Sequence, residues 1–338
     1  GARAAAPRYR GGIRHLSSSV EPLKVACIGS GNWGSAATWI AAQNCLRRDI
    51  FHDQMSLYVY DEMIQGPEKS ELEEAWRVVR PFSRDESGGS SPGIDSIGLQ
   101  LIGAEVGVSI SRAEAKDALE EMDLDQSGRV SKSEFFNWWE SSGKSSIGRL
   151  LTSVINRQRE NVKYLPGIKL GDNVRAVPDM KEAAKDADVL IFVTPHQFVT
   201  QTCAELKGVV KPNARAISLI KGMEIDANGF NLLTDVISRE LSLECSVLMG
   251  ANIASEVAEG KFSEATIGAV DDGHADVFTK LFHTDTFHVK ATNDVPAVEL
   301  CGTLKNVVAL GAGFVDGLGG GKNTKGPGRT RGVFLFRP

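Results

Sequence analysis

Short apolar runs rich in β-formers alternate along this chain with longer segments of helical period. "LKVACIG" at 23–29 predicts a strand that ends at a glycine cluster, and "SAATWIAAQNCL" continues it with helical character. "MSLYVYDE" at 55–62 alternates into a second strand. "DADVLIFVTP" at 186–195 is a buried-type apolar run, and "ARAISLIKG" at 214–222 is another. "AVELCGTLKNVVALGAG" at 297–313 predicts a mostly apolar helix interrupted by Lys305 and Asn306. Between the second and third strands the period changes. "SELEEAWRVVRPF" (70–82), "IDSIGLQLIGAEVG" (94–107) and "SRAEAKDALEEM" (111–122) predict helices, the last opened by a capping box from Ser111 to Glu114. The pattern is α/β, with an all-α block set into it.

Composition narrows this picture. A chain of 338 residues predicts two or three domains, and 42% hydrophobic with 24% charged residues is enough to bury a core. A net charge of −5 offers no basic face for nucleic acid. No apolar stretch approaches the length needed to cross a bilayer, so no transmembrane segment is expected. Cys27, Cys45, Cys203, Cys245 and Cys301 are scattered and lack CxxC spacing, which favours a reducing compartment. Residues 1–20 carry Arg3, Arg8, Arg10 and Arg14, three consecutive serines and no acid. That composition predicts an organelle transit peptide and a mitochondrial address, with cytoplasm or plastid as alternatives; a disordered tail reads the same way.

The glycine cluster carries the first candidate chemistry. Gly29, Ser30, Gly31, Asn32, Trp33 and Gly34 follow a predicted strand and open a predicted helix with GxGxxG spacing. Gly29 allows the tight turn, Gly31 lets backbone approach a pyrophosphate, and Gly34 lets helix pack on strand. The expected fold is a Rossmann-type doubly wound sheet. An acid at Asp61 or Glu62 can accept from an adenosine ribose hydroxyl, which favours NAD over NADP; a solvated loop acid is the other reading. Phe198 and Lys221 fall at the carboxyl ends of strands, where ligands sit, whereas His196 alone reads as a turn residue. Lys305 within an apolar helix is costly unless paired or functional, and burial would push its pKa toward the range of acid–base work. A lysine snorkelling to the surface is the alternative.

These residues belong to longer runs. "GSGNWGSA", "NVKYLPG", "FVTPHQF", "SLIKG", "MGANIASEVAEGKFSEATIG" and "LCGTLKNVVALGAGFVDGLG" together resemble NAD-dependent glycerol-3-phosphate dehydrogenase, in that family's order, over 21–64 and 150–325. The resemblance implies interconversion of dihydroxyacetone phosphate plus NADH with sn-glycerol 3-phosphate plus NAD, and a homodimer. It implies that Gly29 to Gly34 cradle the pyrophosphate and that Tyr60, Phe198, Lys221 and Ala254 line the cofactor cleft. It makes Lys221, Lys305 and Asn306 substrate-binding residues and Lys305 the catalytic lysine.

The chain departs from that family twice. About residues 65–148 are inserted at the loop after the second strand, dividing the NAD-binding domain into 21–64 and 149–291. Residues 292–325 then begin a helical substrate domain, and the tail 326–338, "GPGRTRGVFLFRP", does not resemble the family. The family's Gly-Arg-Asn-Arg segment, which grips the substrate phosphate, has no counterpart, so weak or no turnover is expected. A scaffold that binds calcium and NAD without catalysis is the alternative function.

The insert holds the second candidate chemistry. "MDLDQSGRVSKSEFF" resembles an EF-hand calcium loop. Asp123, Asp125 and Ser127 take positions 1, 3 and 5, Gly128 position 6, Arg129 (through its carbonyl) position 7, and Glu134 position 12. EF-hands pair, and aligning Ile94 with Val130 gives a degenerate first loop at 87–98 that lacks its carboxylates. One calcium ion is therefore expected, and a loop so close to the adenosine side could regulate the cofactor site.

Overall fold

The computed structural model describes residues 21–79, 93–143, 148–226 and 229–319, with only the backbone of Ser142, Gly143, Asp226, Asn306 and Val308. The transit-like residues 1–20 and the tail lie outside the described residues.

An eight-stranded sheet forms the centre. Its strands are β1 (Leu23–Ile28), β2 (Phe51–Tyr58), β3 (Val174–Val177), β4 (Val189–Phe192), β5 (Arg215–Ser218), β6 (Cys245–Met249), β7 (Ser263–Gly268) and β8 (Phe287–Thr292). The order is β8-β7-β6-β5-β4-β1-β2-β3. Every pairing is parallel except β6 with β7, which is antiparallel. This is the Rossmann-type arrangement expected from the glycine turn, and the strand order reverses between β1 and β4. Strand β1 is buried on both faces because helices cover both, which is why "VACI" reads as an unbroken apolar run. Helix α1 (Asn32–Arg47) lies in the core cluster beneath it through Ala36, Ala37, Ile40 and Ala41.

The four predicted strands are present, shifted at their ends. The expected second strand at 55–62 runs instead from Phe51 to Tyr58, so Tyr60, Asp61 and Glu62 lie beyond it. Four further strands, β3 and β6 to β8, have no clear alternating signature, and polar residues such as Glu264, His288 and Lys290 break the pattern at the sheet edge.

Residues between β2 and β3 leave and re-enter the sheet through a short stem. Met63–Ile64 pairs antiparallel with Arg149–Leu150. Beyond it stand α2 (Lys69–Val79), α3 (Ser96–Val106), α4 (Arg112–Met122) and α5 (Lys132–Trp138). Their apolar faces make a core of their own, with Leu72, Trp76, Leu99, Ile102, Met122 and Phe135 buried. The capping box from Ser111 to Glu114 is formed. Ile94 pairs with Val130 in a two-residue antiparallel bridge, the register used to align the two loops. Asp95 caps α3 by accepting from Gly98 N at 2.8 Å; residues 87–92 of the first loop lie outside the described residues.

After α6 (Leu151–Gln158), the chain returns to the sheet. The final described helix, α7 (Val295–Gly317), corrects two expectations. It is not buried throughout: Val307, Leu310 and Phe314 are each more than 60% exposed. At 23 residues it also has the length and apolarity of a membrane span, which the sequence pattern, broken at Glu299 and Lys305, did not show. Its first turns nevertheless pack on the sheet, where Val295 and Val298 join Val247 and Met249 in a buried cluster.

Glu299 fixes that packing. Its fully buried carboxylate accepts from Leu233 N at 2.6 Å, Thr234 N at 3.3 Å and Thr234 Oγ1 at 2.6 Å, capping the helix Leu233–Leu241. Burial raises its pKa, and these donors oppose the rise. Glu299→Ala is expected to lower unfolding free energy by about 3 kcal/mol in urea titration, because it strands the helix N-terminus. Glu299→Gln, which keeps an acceptor, should lose about half as much. Equal stability of the alanine variant and wild type would rule out this role.

Candidate functional site

The glycine turn leaves β1 at its carboxyl end. Gly29 sits at φ +121°, and a Cβ there would come within 2.9 Å of Val193 C and O on the neighbouring chain segment. A Cβ on Gly34 would collide with the Gly29 carbonyl. Both glycines are thus required by the fold. Gly31 is different: a Cβ would meet nothing within 4 Å. Gly31 is also the N-cap of α1, with no side-chain cap and no acid in the first turn. The turn therefore presents free N–H groups and positive partial charge to open space, the arrangement that receives an anion.

Residues from the "NVKYLPG" run hold the turn from the side. Asn161, fully buried, donates through Nδ2 to Ser30 O and Ser35 Oγ at 2.8 Å each. Asn32 Nδ2 donates to Tyr164 O at 2.9 Å. Asn161 and Tyr164 were not singled out in the sequence, since neither is a catalytic residue type; the only pointer was their place in a run shared with the family. Thr194, after β4, was also missed. Its buried Oγ1 has no partner among the described residues, and its backbone N lies beside Gly29. An orphaned hydroxyl beside an open glycine turn fits a polar cofactor.

The acids after β2 are committed to protein partners. Asp61 Oδ1 accepts from Thr152 N at 3.3 Å, near the start of α6. Glu62 accepts from the Tyr164 hydroxyl at 2.9 Å and pairs with Lys163. Of the expected cleft residues, Tyr60 is 72% and Phe198 49% exposed, Phe198 closing a short turn after β4. Ala254 is buried in the core, so only its backbone is available to a ligand.

Two lysines meet at the carboxyl ends of the strands. Lys221 follows β5, with Nζ 5.0 Å from the centre of the Trp33 ring. Burial, and then the neighbouring Lys305, push its pKa down to about 8. Thr303 on α7 clamps this segment: Gly222 N donates to its hydroxyl at 3.2 Å, and that hydroxyl donates to Gly222 O at 3.1 Å. Lys305, two residues along α7 from the clamp, is partly exposed rather than enclosed in a buried helix. The sequence thus named two residues far apart in the chain that the fold brings side by side; the side chain of Asn306 lies outside the described residues.

The loop between α4 and α5 brings its expected ligands together. Carboxylate oxygens of Asp123, Asp125 and Glu134 lie within 4.8 Å of one another. Gln126 (φ +57°) and Gly128 (φ +77°) make the sharp turn. Ser127 N donates to Asp123 Oδ1 at 2.9 Å and to Asp125 Oδ1 at 3.0 Å, and Ser127 Oγ donates to Arg129 O at 2.9 Å. The Ser127 hydroxyl lowers the pKa of Asp125, and the Ser131 hydroxyl lowers that of Glu134, so both are ionised at neutral pH.

The sheet order and the open glycine turn define a Rossmann-type α/β protein with a turn suited to an anionic cofactor. The family models for the NAD-dependent glycerol-3-phosphate dehydrogenase N-terminus and C-terminus match residues 136–275 and 294–334. The cytoplasmic NAD-dependent glycerol-3-phosphate dehydrogenase of Drosophila virilis is 39% identical over 306 residues, covering 90% of this chain and 64% of that protein. The chloroplastic enzyme of Arabidopsis thaliana is 39% identical, covering 89% and 56%. The solved glycerol-3-phosphate dehydrogenase of Saccharomyces cerevisiae superposes with a TM-score of 0.64 at 32% identity, covering 94% of this chain and 69% of that one. The chain belongs to the NAD-dependent glycerol-3-phosphate dehydrogenase family. It spans under two thirds of the length of the curated relatives it matches.

Proposed function

We propose that this chain reduces dihydroxyacetone phosphate to sn-glycerol 3-phosphate, and runs the reverse reaction, with NAD as its cofactor. The observation that carries the reading is the meeting of Lys221 and Lys305 beside an anion-receiving glycine turn. Gly29 to Gly34 hold the pyrophosphate, with Tyr60, Phe198 and the Ala254 backbone along the cleft. NAD supplies the hydride acceptor or donor when bound. The chain's own residues do the rest. Lys305 donates a proton to the ketone oxygen as it becomes an alkoxide, and takes the hydroxyl proton in reverse. Lys221 holds the substrate's anionic end, and Thr303 fixes the spacing between the two lysines. The test is single-turnover oxidation of NADH by excess protein with dihydroxyacetone phosphate. No NADH binding by fluorescence titration would end this reading. The compartments named for the relatives, cytoplasm and chloroplast, favour the cytoplasmic or plastid alternative over the mitochondrion.

The helices at 65–148 are read as an inserted EF-hand pair with one working loop. The donor set fits a hard cation: three carboxylates, a hydroxyl and the Arg129 carbonyl, all oxygen. Asp123, Asp125, Ser127, Arg129 and Glu134 would hold calcium there. Calorimetry is expected to show one ion per chain, with Glu134→Gln weakening it more than about tenfold through the loss of a charged ligand. Two tight ions, or unchanged binding by the variant, would contradict it.

A further inference from the structure

A continuous set of polar contacts joins the inserted helices to the glycine turn. Arg149 closes the stem, and its side chain is only 5% exposed. Its Nη1 and Nη2 donate to Glu71 Oε1 and Oε2 at 2.9 Å each, and Nη1 also donates to Val106 O at 3.1 Å. Those partners lie on α2 and at the end of α3, so one guanidinium ties both helices to the stem. The stem's other strand begins directly after Glu62, whose carbonyl accepts from Leu151 N at 3.1 Å.

The Glu62 carboxylate turns to Lys163 and Tyr164, in the run that holds the glycine turn. One oxygen accepts from the Tyr164 hydroxyl at 2.9 Å, and the other pairs with Lys163. The bond from Lys163 holds this carboxyl below its usual range, so Glu62 is an acceptor at neutral pH. Tyr164 then touches the turn from two directions. Its carbonyl accepts from Asn32 Nδ2 at 2.9 Å. Its N–H donates at 3.1 Å to Asn161 Oδ1, the residue that grips Ser30 and Ser35.

We propose that the Tyr164–Glu62 hydrogen bond is a positioning contact that sets the glycine turn for the dinucleotide and passes the position of the inserted helices to it. Neither residue is assigned contact with the reacting atoms. Both oxygens of Glu62 are engaged, so it acts through Tyr164 rather than on the ribose. The proposal rests on the reading of the turn as a dinucleotide site.

The test is NADH affinity of the full chain, measured by fluorescence titration. Wild type is expected to bind; absence of binding overturns the dinucleotide reading and this proposal with it. Tyr164→Phe keeps the ring and removes the donor, and is expected to raise Kd about fivefold, as for the loss of one typical hydrogen bond. Binding by wild type with an unchanged Kd in Tyr164→Phe overturns this proposal alone. Glu62→Gln, which keeps an acceptor oxygen, should recover most of the affinity lost in Glu62→Ala; a Gln variant as weak as Ala overturns the hydrogen-bond role. Arg149→Lys gives up the two-pronged grip and should raise Kd about threefold. In the Tyr164→Phe background it should add nothing, because the link is already cut. Fully additive effects would overturn transmission, and matching near-UV circular dichroism spectra check that each variant is folded.

Discussion

Gly31→Val is expected to weaken NADH binding about a hundredfold while leaving the thermal midpoint of the free protein close to wild type. The two halves of this expectation come from one observation. At φ −62° the backbone of Gly31 suits any L-residue, and a Cβ there would meet no protein atom within 4 Å. The fold therefore has no use for a glycine at this position. What needs it is whatever lies on the turn, and an isopropyl group would hold that ligand away from the N–H groups of α1. Losing those charge-assisted contacts costs about 3 kcal/mol, which is the hundredfold in Kd. Gly34→Val is the control with the opposite signature. Its Cβ would strike the Gly29 carbonyl, so the variant should lose stability before any question of binding arises. NADH binding by Gly31→Val at wild-type affinity would remove the glycine turn from the cofactor site.

Lys305→Met should slow single-turnover oxidation of NADH by dihydroxyacetone phosphate about a thousandfold, within the range for loss of a general acid. Its pH dependence separates the two lysines. Burial and the ammonium of Lys305 hold the pKa of Lys221 at about 8, below the usual lysine value. Lys221 is therefore charged below pH 8 and loses its charge above it, so affinity for the anionic substrate should fall as pH rises through that value. Removing the Lys305 charge takes away one of the two causes. The alkaline limb of substrate binding in Lys305→Met should then move to higher pH, while burial keeps it below that of a free lysine. An unchanged single-turnover rate would remove Lys305 from the chemistry. A limb fixed at pH 8 in the variant would leave burial as the whole cause.

Local chemistry was legible in the sequence wherever neighbouring residues do the work. The glycine turn, the capping box at Ser111 and the clustering of the carboxylates from Asp123 to Glu134 all depend on residues within a dozen positions of one another. Their geometry follows from backbone rules that a one-dimensional pattern preserves. Strands buried on both faces were legible for the same reason: every position of β4, and of β1 after Lys24, is apolar. The edge strand β8 was not, because one side of an edge faces water and its polar residues erase the run; β7 beside it is interrupted by Ser263, Glu264 and Thr266.

What the sequence by itself determined is the kind of fold, the open glycine turn after β1, the family, and two lysines that the fold brings together. Each is written in contiguous residues. Only the tertiary structure decided which residues hold those pieces in register. It set Lys221 beside Lys305 through the Thr303 clamp, and gave Glu62 to Tyr164 instead of leaving it in a loop. It also buried Arg149 against Glu71, 78 positions away, at the foot of the inserted helices. These contacts join positions whose separation in the chain has no fixed relation to their distance in space. They form only once the sheet has packed, so no local pattern records them.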